Sequence, residues 1–309
     1  MPFKSIFCSP WWLDATVQSG SWGVCEAMKN GQVVASMPWV QKNKFGLKII
    51  DQPLLSQTLG PWLADPPKGC KYETKLSREK SLMTALIDQL PEYDVYRQNF
   101  SPEITNWMPF YWRGFKQTTR YTYRLQNLSN TENLWENLRG NIRQNIRNAN
   151  KEGIAIERSN DIDALLDLNE QTFIRQGKRP PYKRSFIKHI FKACESHQSG
   201  TIFLARDADG KLHAGNFLIW NEYCAYYLMG GCNLEYKSNS AATLALWEAV
   251  KFSANVSQIF DFEGSMIAPI EHFFRGFGAI QTPYFAISHI PSKILDTAFT
   301  CGKILKSTQ

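Results

Sequence analysis

The chain has 309 residues, 43% of them hydrophobic, and a formal net charge of +7. That length accommodates two ordinary domains or one large one. No apolar run reaches the roughly 18–20 residues of a transmembrane helix, and the opening residues lack the apolar centre and cleavage site of a signal peptide, so the expected location is cytoplasmic. The seven cysteines include no C-x-x-C pair, which argues against a disulfide framework or a structural zinc site; no metal is expected. HExxH, G-x-S-x-G, GxxxxGK[ST] and GxGxxG are all absent, which removes the commonest protease, hydrolase, NTPase and dinucleotide readings.

In chain order, Ser9–Leu13 opens a short helix with Pro10 in its first turn. Ser21–Glu26, Val33–Pro38 and Leu47–Ile50 read as strands, and Asn30-Gly31 marks a hairpin. Asp51–Asp65 is interrupted by Pro and Gly yet carries Leu54, Leu55, Leu59 and Trp62, so it is expected to line a cleft. Ser77–Gln89 is helical, with Leu82, Met83, Leu86 and Ile87 on one face. Val95–Phe100 and Tyr121–Leu125 read as strands on either side of the aromatic stretch Trp107–Phe115.

Thr131–Lys151 reads as one helix with the stripe Leu134, Leu138, Ile142, Ile146 and Ala149. The domain boundary is placed near residue 130, giving domains 1–130 and 131–309. Asn160 is expected to cap a helix over Asp161–Arg175, which Gln176–Tyr182 breaks, and a basic helix follows over Lys183–Glu195. Thr201–Arg206 is a strand. Leu212–Trp220 and Cys224–Met229 form a hairpin, followed by the polar loop Asn233–Ser240 and a helix capped by Ser240. Ile259–Ser265 is a short strand ending in carboxylates and glycine. A helix over Pro269–Arg275 and a strand over Tyr284–Ile290 come next, and the tail reads as a weak amphipathic helix, expected to dock on its own domain rather than on a membrane because its polar face is not strongly basic. Each half therefore reads as strands around helices, an α/β (α+β) fold with two related units and a mixed, mostly antiparallel sheet in each.

The segments Asp261-Phe262-Glu263-Gly264-Ser265 and Phe274-Arg275-Gly276-Phe277-Gly278 carry a resemblance. They are similar to the "DF-x-G … FK/R-x-G-F-G" segment of FemAB-like and BioF2-type (CelD-like) acyltransferases of the GNAT superfamily. The likeness extends to Arg143–Gly153 and Leu212–Tyr227 and, more loosely, to the first half. It implies two tandem GNAT-type domains, with the acyl donor's pyrophosphate in the loop entering the helix at Ser240. In that loop, Tyr236-Lys237-Ser238-Asn239-Ser240-Ala241, only the last position fits the family's Gln/Arg-x-x-Gly-x-Gly/Ala pattern. The resemblance implies an acyl-CoA or an aminoacyl-tRNA as donor, and an amine or hydroxyl of a cell-envelope or saccharide precursor as acceptor. It makes Tyr236, Asn239, Ser240 and Ala241 the cofactor contacts and gives Arg275 phosphate or oxyanion neutralisation.

The residues supply their own candidates. Gly230 and Gly231, at the end of an apolar strand, let the backbone open toward a ligand and present N–H groups to a carbonyl, each such donor being worth about 2.7–4 kcal/mol; Tyr227 lies beside them. Asp261 and Glu263 alternate along one strand, so they share a face and one pKa should rise, which would suit Glu263 to act as a base. Asp261 alternatively caps the next turn or pairs with Arg275. Tyr284 and Tyr236 are proton-donor candidates or plain packing residues. Arg139, Arg143, Arg147 and Lys151 repeat every four residues, and the segment Arg139–Lys192 holds twelve Lys and Arg against six Asp and Glu. Arg143, Arg147, Arg175, Lys178 and Arg179 are therefore candidates for substrate phosphates, the alternative being a solvated face. Two readings stand beside acyl transfer: a non-catalytic GNAT pair that holds a nucleotide-linked or polysaccharide precursor, and a single-stranded RNA-binding protein, against which the aromatics look like core.

Overall fold

The computed structural model describes residues 5–236, 240–264 and 266–299. Its elements are α1 (Pro10–Thr16), β1 (Ser21–Lys29), β2 (Gln32–Lys44), β3 (Leu47–Ile50), β4 (Trp62–Leu63), α2 (Tyr72–Ile87), β5 (Val95–Asn99), α3 (Met108–Trp112) and β6 (Lys116–Leu125). There follow α4 (Thr131–Asn137), α5 (Gly140–Lys151), β7 (Ala155–Ser159), α6 (Ile162–Arg175), α7 (Arg184–Ser196), β8 (Gly200–Arg206), β9 (Leu212–Trp220), β10 (Cys224–Cys232), α8 (Ser240–Ser253), β11 (Ile259–Asp261), α9 (Ala268–Arg275) and β12 (Ile280–His289). A 3-10 turn at Ile6–Cys8 precedes α1, and residues 293–299 are helical.

The chain gathers into two compact units: residues up to 120 together with those from 283, and Tyr121–Thr282. The boundary expected near 130 thus falls between 120 and 121. The end of the chain also returns to the first unit, because Ala286–His289 of β12 pair with Tyr96–Asn99 of β5. Hydrophobic periodicity marks elements but carries no record of which distant strand each one will pair with.

In the first unit the sheet order is β1-β2-β3-β5-β12, with β4 against β2. β3 and β5 are parallel and the other pairs antiparallel. Asn30 and Gly31 take φ of 52° and 75°, the two left-handed residues of a tight hairpin turn. Tyr96, Phe100, Phe110 and Phe115 form an aromatic core closed by Met83 and Leu86 of α2. Lys116 Nζ pairs with Asp296 Oδ2 at 2.5 Å, which ties the C-terminal helical segment to this unit.

In the second unit the order is β6-β11-β10-β9-β8-β7, with β10 and β11 parallel and the rest antiparallel. Both faces are covered, which explains the near-continuous apolar runs in β8, β9 and β10. Phe203, Ala205 and Leu218 join one core with α5 and α8. On the opposite face Phe217 meets Phe191 of α7, with ring centroids 5.5 Å apart.

Two expected helix details change. Thr131–Lys151 is two helices: Leu138 and Arg139 are extended, with ψ of 136° and 145°, and the Arg139 N–H donates to Gly276 O at 2.8 Å. The apolar stripe survives the break because Leu134, Leu138 and Ile142 still enter one core. The cap of α6 is Asp161, whose Oδ1 accepts from the Ala164 N–H at 3.0 Å, rather than Asn160. No helix among the described residues is long and apolar enough to cross a membrane. Asp161→Ala is expected to cost about 1 kcal/mol of stability and Asn160→Ala almost none, as read by urea denaturation.

Candidate active site

The geometry begins with a parting of strands. β10 and β11 run in register only from Cys224↔Ile259 to Tyr226↔Asp261. β11 ends there, while β10 continues against β9 to Cys232, with a bulge between Tyr227 and Met229. A bulge re-aims backbone groups and side chains where regular pairing stops. Tyr227 therefore lies at the opening, its ring edge-on to Phe274 at 5.8 Å. Burial pushes the Tyr227 hydroxyl well above the usual phenol range.

Asp261 closes β11 from within. It is fully buried; Arg124 Nε donates to its Oδ2 at 2.6 Å, and both the Thr122 hydroxyl and the Glu263 N–H, the latter at 2.8 Å, donate to Oδ1. Asp261 thus caps the turn after β11, as one sequence alternative had it, but its ion-pair partner is Arg124, on the neighbouring β6, and not Arg275. The expected strand alternation stops here: Glu263 has φ of +57° and Gly264 φ of +62°. A Cβ at Gly264 would come within 2.3 Å of Tyr121 O, so this turn admits only glycine there.

Glu263 is half-buried as a residue, but its Oε1 is fully buried and has no hydrogen-bond partner among the described residues. Burial, with the charge of Asp261 added, raises the Glu263 carboxyl well above the ordinary carboxylate range. A carboxylate held in that way can take a proton near neutral pH.

The two glycines of β10 are filled from within the chain. A Cβ on Gly231 would meet the backbone of Leu168 and Asn169 of α6 at 2.3–2.5 Å, and one on Gly230 would meet the Tyr227 hydroxyl at 2.1 Å. They seat a helix and a phenol rather than opening a gap on those sides. Asn169 locks the contact: its Nδ2 donates to Gly230 O at 2.8 Å and its Oδ1 accepts from the Tyr182 hydroxyl at 2.9 Å. Burial raises that hydroxyl to about 12. Asn169 is a polar residue at a buried position of α6, which needs a partner there.

The remaining candidates are dispersed. Arg275 is exposed, held by Glu271 at 2.7 Å and near His272, which Arg139 also contacts at 2.8 Å. Arg143 donates to Glu136 O at 2.8 Å and so closes the end of α4. Arg147, Arg175, Lys178 and Arg179 are exposed. Tyr236 stacks on His213 at 3.8 Å, a packing contact, and His213 pairs with Asp207 at 3.0 Å. Ser240 and Ala241 are buried in the first turn of α8, and Asn239 lies outside the described residues. Tyr284 is buried on β12 in the first unit. Among the described residues no cluster of three or more His, Cys, Asp or Glu side chains could hold a metal ion.

Residues 136–264 match the acetyltransferase (GNAT) domain family. That match lies within the second unit and takes in the parallel pair that parts at Tyr226 and Asp261 and the helix α8 that follows β10. Similar solved structures extend the likeness in fold to both units. FemX shares 13% identity at a TM-score of 0.69, over 91% of this chain and 92% of that one. L-PGS from Bacillus licheniformis shares 9% at 0.54, over 95% and 96%. A tandem GNAT protein from the clavulanic acid biosynthesis pathway shares 10% at 0.50, over 92% and 95%. A search of the curated proteins finds no match.

Removing Asp261 leaves Arg124 buried without its counter-charge, so Asp261→Ala is expected to cost about 3–5 kcal/mol in denaturant titrations. Glu263 carries a pH signature. Its folded pKa lies above the unfolded value, so its contribution is full in acid and declines as pH rises from the ordinary carboxylate range toward the raised value. Between about pH 4 and about pH 8 the urea midpoint of Glu263→Gln should therefore fall less than that of the unaltered protein.

Proposed function

We propose that the second unit transfers an acyl or aminoacyl group to an amine or hydroxyl of a cell-envelope or saccharide precursor, with Glu263 as the general base. The carrying observation is the buried Oε1 of Glu263, without a hydrogen-bond partner among the described residues, beside the parting of β10 and β11. In this reading the donor's reactive carbonyl lies along β10 beyond Tyr226, where backbone N–H groups near the bulge stabilise the oxyanion. The acceptor nitrogen or oxygen attacks that carbon and gives its proton to Glu263. Collapse of the tetrahedral intermediate breaks the bond to the leaving thiolate or ribose oxygen, and the proton on Glu263 returns to the leaving group.

The donor is an acyl-CoA or an aminoacyl-tRNA. Both are phosphate-rich, and the exposed cations Arg147, Arg175, Lys178 and Arg179 supply charge of the right sign for either. The FemAB-like resemblance of Asp261–Gly264 and Phe274–Gly278 supports an envelope precursor as acceptor. The hydrogen bonds of Asn169 to Gly230 O and of Tyr182 to Asn169 tie α6 and the chain after it to β10, which supports Arg175 and Lys178 as donor contacts in this reading.

Thermal shift with acetyl-CoA, longer acyl-CoAs and charged tRNA identifies the donor, since ligand near 100 times its Kd adds roughly 2.7 kcal/mol of stability. With that donor and muropeptide or amino-sugar acceptors, Glu263→Gln is expected to lower kcat by about 10²–10⁴ with little change in KM, and to remove the rising limb of the pH–rate profile. Wild-type turnover by Glu263→Gln would overturn the base assignment. Donor binding without turnover by the unaltered chain would favour a non-catalytic binding role.

A further inference from the structure

We propose that a cleft in the first unit binds a small molecule with an oxyanion head, a carboxylate or a phosphate, and a short apolar body. The cleft has a volume of about 160 Å³ and is walled by the stretch Leu59–Asp65, by α2 and by residues 101–106. It belongs wholly to the first unit and does not depend on the acyl-transfer reading. At roughly 30 Å³ per water it holds only a handful of waters, the scale of a short acid and not of a nucleotide.

Its lining divides into an apolar floor and a polar rim. Leu59 and Met83, each only 1% exposed, and the half-buried Trp62 supply the floor. On the rim, Arg78 is half-buried and donates to Ala64 O at 2.7 Å, which fixes the guanidinium without neutralising it. Among the described residues Arg78 has no ion-pair partner. The carboxylates that share the lining are engaged or open to water. Glu79 faces Lys75 at 3.7 Å, Glu103 accepts from the Ser101 hydroxyl, and Asp65 is exposed.

Asn106 adds a second independent demand. Its Oδ1 accepts from the Met108 N–H at 3.2 Å, which settles the orientation of the amide. Its Nδ2 is buried and has no hydrogen-bond partner among the described residues. A buried donor pair without an acceptor is costly, and a half-buried guanidinium without a counter-charge costs more. One oxyanion satisfies both, and an attached apolar chain covers the floor.

The test uses the full chain and the side-chain amide signals of Asn106 in a ¹⁵N-labelled NMR spectrum, assigned by their loss in Asn106→Leu or, if that variant does not fold, Asn106→Ser. The probes are hexanoate and butyl phosphate, with hexanol and hexylamine as controls. Saturable movement of the Asn106 pair by one or both oxyanions, and not by the controls, is the expected result, and the tighter of the two identifies the head group. Arg78→Gln should weaken that probe by about tenfold or more, with Arg78→Lys between it and the unaltered chain. The proposal is overturned if neither oxyanion moves the pair, if hexanol or hexylamine binds as well, or if Arg78→Gln binds with unchanged affinity.

Discussion

The buried carboxylate of Asp261 sets the position of everything at the parting of β10 and β11. With Arg124 and Thr122 on β6 and the Glu263 N–H all donating to it, one side chain joins two strands and a turn. A buried ion pair returns little net stability once its desolvation is counted, and its value lies in geometry. Glu263 takes a left-handed conformation that a non-glycine residue adopts at some cost, and the bond from its own N–H to Asp261 holds it there. The same carboxylate adds its charge to the burial that raises Glu263. A single anchor therefore fixes both where the proposed base sits and how readily it keeps a proton.

The two units show how much depends on the dielectric around one motif. The strands of each unit include one parallel pair among antiparallel neighbours, β3 with β5 and β10 with β11. In each, an aspartate stands at the end of the shorter parallel strand and pairs with an arginine. In the first unit Asp51 is 26% exposed and meets Arg97 at 2.7 Å and Lys42 at 3.5 Å, contacts that water screens. In the second, neither partner reaches water to any useful extent. Only the second arrangement turns a strand end into a rigid, low-dielectric site.

Most elements were legible because their hydrophobic periods are strong: β9, β10, α6, α8 and the Asn30-Gly31 hairpin lie where the pattern puts them. The cleft expected along Asp51–Asp65 exists only along Leu59–Asp65, where Leu59 and Trp62 line it, while Leu54 is exposed. The break within Thr131–Lys151 leaves no mark on the pattern for a physical reason: its two residues keep Leu138 in the core, so the stripe persists while the backbone leaves the helix. In the site, the carboxylate pair Asp261 and Glu263 was visible as a motif, whereas its partner Arg124 was not. A cation in a polar strand that also carries Lys116 and Arg120 gives no sign of which distant carboxylate it meets. Gly230 and Gly231 were visible as special positions, but only the fold shows that α6 and Tyr227 occupy the space they leave.

The return of the chain to the first unit at Pro283 bears on how the protein emerges from the ribosome. Every strand of the second unit is complete before residues Ala286–His289, the edge that β5 requires, have been synthesised. The first unit therefore cannot complete its sheet before the whole of the second has been made. Until β12 arrives, β5 carries an open row of backbone donors and acceptors of the kind that recruits foreign strands. In sequence the second unit is nested within the first. A cut after Thr282 leaves it whole and removes a strand from its host.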